Sequence, residues 1–244
     1  MIEHDRIQAH SEEIINFLKK TFQYRTVNQS VLQQKIINQA AYDRKISIDD
    51  SEIQAETERQ RREHHLEKAS DTLAWLSDQQ VTPEEWEAGI RDRLLTEKLG
   101  ESMFHKEVEH FFVENRLDYD RIVLYQIIVP YGPLAQEIFY EIEEDEMSFY
   151  EAAHLYDIDE DRRRRCGFEG VLYRWSLSPQ LSTTIFRTPV GSVAEPIQTD
   201  RGYHILLPEE MIVAELNPTI RKEVIQRLFQ DWLNSEMNYQ LYNA

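Results

Sequence analysis

Few residues in this chain combine a reactive type with a useful spacing. Cys166 is the single cysteine, and it follows Arg162-Arg163-Arg164-Arg165, whose charge would lower a thiol pKa. No catalytic His/Asn pattern accompanies it, so it reads as a structural thiol. His64 and His65 are adjacent, which on a helix places them on different sides. His105 and His110 are five apart and also share no face. Neither pair has a third ligand, and no metal is expected. The four arginines read as a solvated loop answering Glu160 and Asp161, or more sharply as a grip on an acidic segment. Glu141, Glu143, Glu144, Asp145 and Glu146 read as a solvated helix end. Two features remain. Leu177, Leu181 and Phe186 form an apolar group that by itself is ordinary core, and His204 lies in Gly202-Tyr203-His204-Ile205, where a lone histidine is most simply structural.

The elements that must position these residues change character along the chain. Ile14, Ile15, Leu18 and Phe22 recur at helical spacing, as do Val31, Leu32, Ile36 and Ala40. Asp49 with Glu52 can open a helix. Thr82-Pro83-Glu84-Glu85 is a stronger start: a cap, a proline for the first helical position and a capping box. Trp86, Ile90 and Leu94 follow as a stripe. Near Tyr119 the period shifts. Ile122 to Val129 is a β-rich run ended by Pro130. Helices are expected at about 133–143 and 147–156, a strand from Val171 to Trp175, helical turns from Pro179 to Phe186, and strands Val193 to Thr199 and Tyr203 to Leu207 around Asp200-Arg201-Gly202. From Asn217-Pro218 the helical period returns, with Ile220, Val224, Leu228 and Trp232 in one stripe. So apolar a closing helix needs a partner, most economically the N-terminal helices. The fold class is therefore α+β. A helical domain, 1–118 plus 212–244, is completed by the C-terminal helix and carries an inserted module over 119–211.

Composition narrows the function classes. The 244 residues include 45 Asp+Glu against 27 Lys+Arg, a formal charge of −18. Residues 1–118 carry 16 bases and 24 acids, residues 119–211 carry 8 and 17, and residues 212–244 carry 3 and 4, giving −8, −9 and −1. An acid excess this large argues against binding nucleic acid, which requires clustered Lys and Arg, and against docking on an anionic membrane. No stretch approaches the roughly 20 apolar residues of a membrane span. The polar N-terminus and single cysteine lead to the expectation of a cytoplasmic protein.

Phe186-Arg187-Thr188-Pro189-Val190-Gly191-Ser192-Val193-Ala194-Glu195-Pro196, then Thr199-Asp200-Arg201-Gly202-Tyr203-His204-Ile205, resembles the end of a parvulin-type peptidyl-prolyl isomerase domain. Upstream, Cys166-Gly167-Phe168-Glu169-Gly170 is similar to that family's Gly-Gly-x-Leu-Gly turn, and the helix from Phe149 to Tyr156 with Asp157-Ile158-Asp159 to its second helix and the acidic position after it. The match covers about 119–211. Ser47 to Ile53, Leu73 to Leu76, Val81 to Trp86 and Arg93 to Leu99 resemble the helical domain of SurA- and PrsA-like foldases, which a C-terminal helix rejoins after the isomerase insert.

The resemblance implies a four-stranded antiparallel sheet with helices and a foldase that binds unfolded or extended polypeptide and isomerises X-Pro bonds. It places Leu177 and Leu181 on the proline-ring pocket, where the family has Met or Leu and Phe, with Phe186 in support. His204 matches the histidine of the last hairpin, Thr199 a hydroxyl in the same network, and Asp159 a position usually Asp or Cys. Three departures stand out, one of them Arg201, in the turn where many relatives have a small residue. Gln126 takes the place of a second histidine, and an amide cannot change charge near neutral pH. Glu169 takes the place of the leucine in the turn. They leave a non-catalytic chaperone or adaptor on the same fold as the alternative. No cofactor is expected. Clients would be proline-containing polypeptides, neutral or basic.

Overall fold

The computed structural model describes residues 9–242; the helical reading of residues 1–8 lies outside them. The chain divides into two compact units, Met1–Val108 with Lys222–Ala244, and Glu109–Arg221. The first is discontinuous in sequence, closed by a helix from the far end of the chain. The second takes in residues 109–118 and 212–221 as well as the 119–211 of the sequence reading. Two bonds tie the C-terminal flank to the start of this unit: Arg116 Nε donates to the Ala214 carbonyl at 3.3 Å and Ala214 N–H to Asp120 Oδ1 at 2.8 Å.

The helical unit comprises α1 (Ser11–Lys20), α2 (Tyr24–Asp43), α3 (Asp50–Glu63), α4 (Ala69–Asp78) and α5 (Pro83–Phe104). Its starts are locally encoded. Asp49 and Thr82 accept from the third backbone N–H of α3 and α5, and Glu52 and Glu85 reach back to the cap N–H groups. One core joins Ile36, Ile37, Ala40 and Ala41 of α2 to Leu99 of α5 and to Phe229, Leu233 and Met237. Another joins Ile48, Ile53 and Ile90, with Trp86 and Leu94 against it. Trp86 Nε1 also donates to Gln60 Oε1 at 2.8 Å. The stripe expected over Ile14, Ile15, Leu18 and Phe22 is not buried. α1 buries no residue, and Phe22 lies past its end with φ 59°. Helical spacing says which residues share a face, not what covers it.

The second unit begins with α6 (Val108–Asn115), a 3₁₀ turn (Arg116–Tyr119) and β1 (Arg121–Val129). Then follow α7 (Gly132–Glu143), α8 (Phe149–Tyr156), α9 (Glu160–Arg164), β2 (Phe168–Tyr173), a 3₁₀ turn (Arg174–Ser176), α10 (Pro179–Ile185), β3 (Ala194–Thr199) and β4 (Gly202–Ile212). The last helix, α11 (Pro218–Tyr242), runs on into the helical unit; Asn217 Oδ1 accepts from Ile220 N–H at 2.9 Å to start it. The four strands form one antiparallel sheet in the order β2-β1-β4-β3. Strand alternation splits β1 between two cores. Ile127 and Val129 join Ile205 and Leu207 of β4 under α7 and α8, whereas Ile122 and Leu124 join Leu206, Ala194 and Ile185 on the α10 side. The four-arginine block is not a loop. Asp159 caps it into α9, and Arg162 is buried. Among the described residues no helix is long and apolar enough to cross a membrane.

Candidate active site

The α10 side of the sheet opens into a cleft of about 800 Å³. Its apolar wall is Leu124 of β1, Leu172 of β2, Leu177 and Leu181, and its polar lining includes Gln126, Glu169, Thr199, Arg201 and His204. Local sequence sets these positions. Ser178 caps α10 through Leu181 N–H, and Pro179 occupies its first turn, which together fix Leu181 on the wall. Gln126 and His204 are diagonal neighbours on one sheet face, since Gln126 pairs with Leu206 and His204 with Ile128. Gly167 has φ 89°, and a Cβ there would stand 3.0 Å from the Gln126 carbonyl oxygen; this close approach lets Gln126 N–H donate to Gly167 O at 2.8 Å.

The polar groups form one chain. Gln126 Oε1 can only accept, so the 3.2 Å contact makes His204 Nδ1 the donor. Nε2 of a neutral ring is then bare and accepts from the Thr199 hydroxyl at 2.8 Å. Thr199 Oγ1 in turn accepts from Arg201 N–H at 3.1 Å. His204 is 2% exposed and Gln126 5%. Burial pushes the His204 pKa below its ordinary 6.5, and Arg201 and Arg162 push the same way against the opposing pull of Asp157 and Asp200. The ring is thus neutral at pH 7 with its tautomer fixed.

The residues singled out from sequence separate into three groups. Gln126, Thr199, His204, Leu177 and Leu181 meet at the cleft. Phe186 does not line it; it packs behind, against the core of Leu124, Ile185 and Leu206, under the Arg174 guanidinium at 4.4 Å. Asp159 is not brought to the cleft either. It is exposed, its Oδ1 accepts from Arg162 N–H at 2.8 Å as the cap of α9, and that bond lowers its pKa. The buried acid is Asp157, two residues earlier. Its oxygens accept from Arg162 Nε at 2.7 Å and Nη2 at 2.9 Å, from Ile128 N–H at 3.1 Å and from Asp159 N–H at 2.8 Å. Sequence reasoning missed Asp157 and Arg162. Their five-residue separation fits neither helical nor strand pairing, so the sequence carried no signal for it.

Glu169 lines the cleft with its side chain 27% exposed. Its Oε2 is buried and accepts no hydrogen bond, an arrangement that costs about 1–3 kcal/mol. Arg162 Nη1 stands 3.6 Å away. Among the described residues no group of three or more His, Cys, Asp or Glu is placed to hold a metal.

Comparison with known proteins bears on family and fold. Residues 131–210 match the family model described as Rotamase, PPIC-type PPIASE domain. Two curated relatives are named foldase protein PrsA. The one from Halalkalibacterium halodurans is 26% identical over 215 residues, 85% of this chain and 63% of the relative. That from Caldanaerobacter subterraneus subsp. tengcongensis is 23% identical over 208 residues, 83% of this chain and 60% of the relative. The chain therefore spans less than two thirds of the length of the curated relatives it matches. A crystal structure of peptidylprolyl isomerase (PrsA) from Bacillus anthracis shares the fold, with TM-score 0.52, 18% identity, and coverage of 88% of this chain and 97% of that one.

Proposed function

This chain carries a parvulin-type domain of the PPIC class and is homologous to PrsA foldases, and from that premise we propose that it is a foldase that binds extended polypeptide and accelerates rotation about X-Pro bonds. The observation that carries the reading is the neutral His204 ring, held between Gln126 and Thr199 on the wall of a cleft built from leucines. Prolyl rotation is slow because amide resonance must be broken, a barrier of about 18–20 kcal/mol. No bond is made or cleaved. The protein has only to bind the twisted imide better than the planar one, and each 1.36 kcal/mol of that preference is about tenfold in rate. Leu177 and Leu181 take the proline ring and strip water from the adjoining carbonyl. His204, Thr199 and Gln126 form a pre-ordered polar edge that need not rearrange as the bond turns. The helical unit holds the rest of the chain being folded. The −9 charge of residues 119–211 favours neutral or basic clients.

A protease-coupled assay on an X-Pro peptide tests the enzymatic half. Acceleration that is lost in His204→Ala is expected; a folded protein giving no rate above the uncatalysed one overturns it. One observation favours a second reading, holding without isomerisation: Gln126 gives the site an amide where a titratable partner would otherwise face His204. Aggregation suppression and peptide-induced shifts at Leu181 and His204, without faster isomerisation, would select that reading.

A further inference from the structure

Glu169 is chemically out of place in the cleft. It shares the lining with Leu124, Leu172, Leu177 and Leu181, yet it is a carboxylate. Its Oε2 is buried beside Arg162, whose Nη1 stops at 3.6 Å, beyond hydrogen-bond length. Arg162 cannot readily close that gap, because Asp157 holds its Nε and Nη2 at 2.7 and 2.9 Å. Two carboxylates thus share one guanidinium that is already committed to the first, and the surplus negative charge belongs to Glu169. Arg201, the cation of the lining itself, is exposed and adjoined by Asp200 of the same lining. What an incoming peptide meets is the accessible part of Glu169, set against an apolar wall.

We infer that Glu169 determines specificity, selecting peptides with lysine or arginine immediately before the proline. The inference rests on the isomerase reading and names its substrate class. A lysine or arginine suits the place twice over. Its methylene stem lies on leucine side chains while its charged head reaches the carboxylate. The residue before proline also owns the carbonyl that must be held while the ring turns, so selection there enters the rate.

The test uses the full chain and peptides that differ only before the proline: lysine, leucine or glutamate. The expected kcat/KM favours lysine over leucine by about tenfold, with glutamate poorest, and the preference shrinks as salt is added. The isosteric Glu169→Gln should bring lysine and leucine within about twofold of each other, and Glu169→Leu should favour leucine. Equal turnover of all three peptides by the wild type, or a lysine preference that survives in Glu169→Leu, overturns the inference and leaves the isomerase reading standing. If no peptide is accelerated, the same titrations followed by NMR decide. Lysine-selective shifts that vanish in Glu169→Gln keep the selectivity and reject the isomerase; shifts with no charge preference, or none at all, reject both.

Discussion

His204 works through its neighbours. Gln126 makes Nδ1 the protonated nitrogen, and Thr199 covers Nε2. Removing the acceptor in Gln126→Leu leaves a buried N–H unpaired and should cost about 1–3 kcal/mol of stability, measured by denaturant unfolding. The depressed histidine pKa has a definite sign. Above pH 6.5 the ring is neutral both folded and unfolded, so its contribution is flat. As pH falls from 6.5 towards the lower folded value, the unfolded chain takes up a proton that the folded chain does not, and stability is lost. The stability gap between wild type and His204→Gln should therefore be widest above pH 7 and narrow towards pH 5. An unchanged gap across that range would contradict the assignment.

At the scale of elements, signals confined to a few adjacent residues were readable, and signals that depend on folding were not. Thr82, Asp49 and Asn217 cap helices as their local patterns predict, because a cap bonds only three residues ahead. The arginine block divides: Arg164 pairs with Glu160 and Asp161 as the sequence implies, whereas burial of Arg162 depends on where the end of α8 places Asp157. The distinction between Asp157 and Asp159 is testable. Asp157→Ala strands a buried guanidinium and unpins Ile128, and should cost about 3–5 kcal/mol while lowering the proposed X-Pro turnover. Asp159→Ala removes only an exposed cap, and should leave turnover close to wild type. The β3–β4 turn is equally specific. Gly202 has φ 127°, and a Cβ would stand 2.6 Å from the Val129 carbonyl oxygen. Gly202→Ala must push β1 and β4 apart beside His204, so it should both destabilise the sheet and abolish the Thr199–His204 bond, read from the histidine NMR signals.

For the whole molecule, the charge of −18 argues against nucleic acid and anionic membranes as partners, and residues 119–211, which carry −9 of it, include a cleft carboxylate, Glu169, whose Oε2 accepts no hydrogen bond. The helical unit depends on a helix distant in sequence. Leu99 is fully buried among residues of α2 and α11, so Leu99→Ala should lower unfolding free energy by about 2–5 kcal/mol, seen as an earlier denaturant midpoint. The sequence by itself determined the order of the four strands, the return of helix after Asn217, and, through motif resemblance, that His204, Thr199, Gln126, Leu177 and Leu181 belong to one place. These are legible because caps, periodicity and motifs are encoded within short windows. Only the tertiary structure decided that α1 leaves its apolar stripe uncovered, that Phe186 stands behind the cleft, that Asp157 and not Asp159 is the buried acid, and that Glu169 is left half-paired. Those outcomes turn on which side chains reach one another across separate elements, and burial and charge pairing belong to that arrangement and not to any single segment.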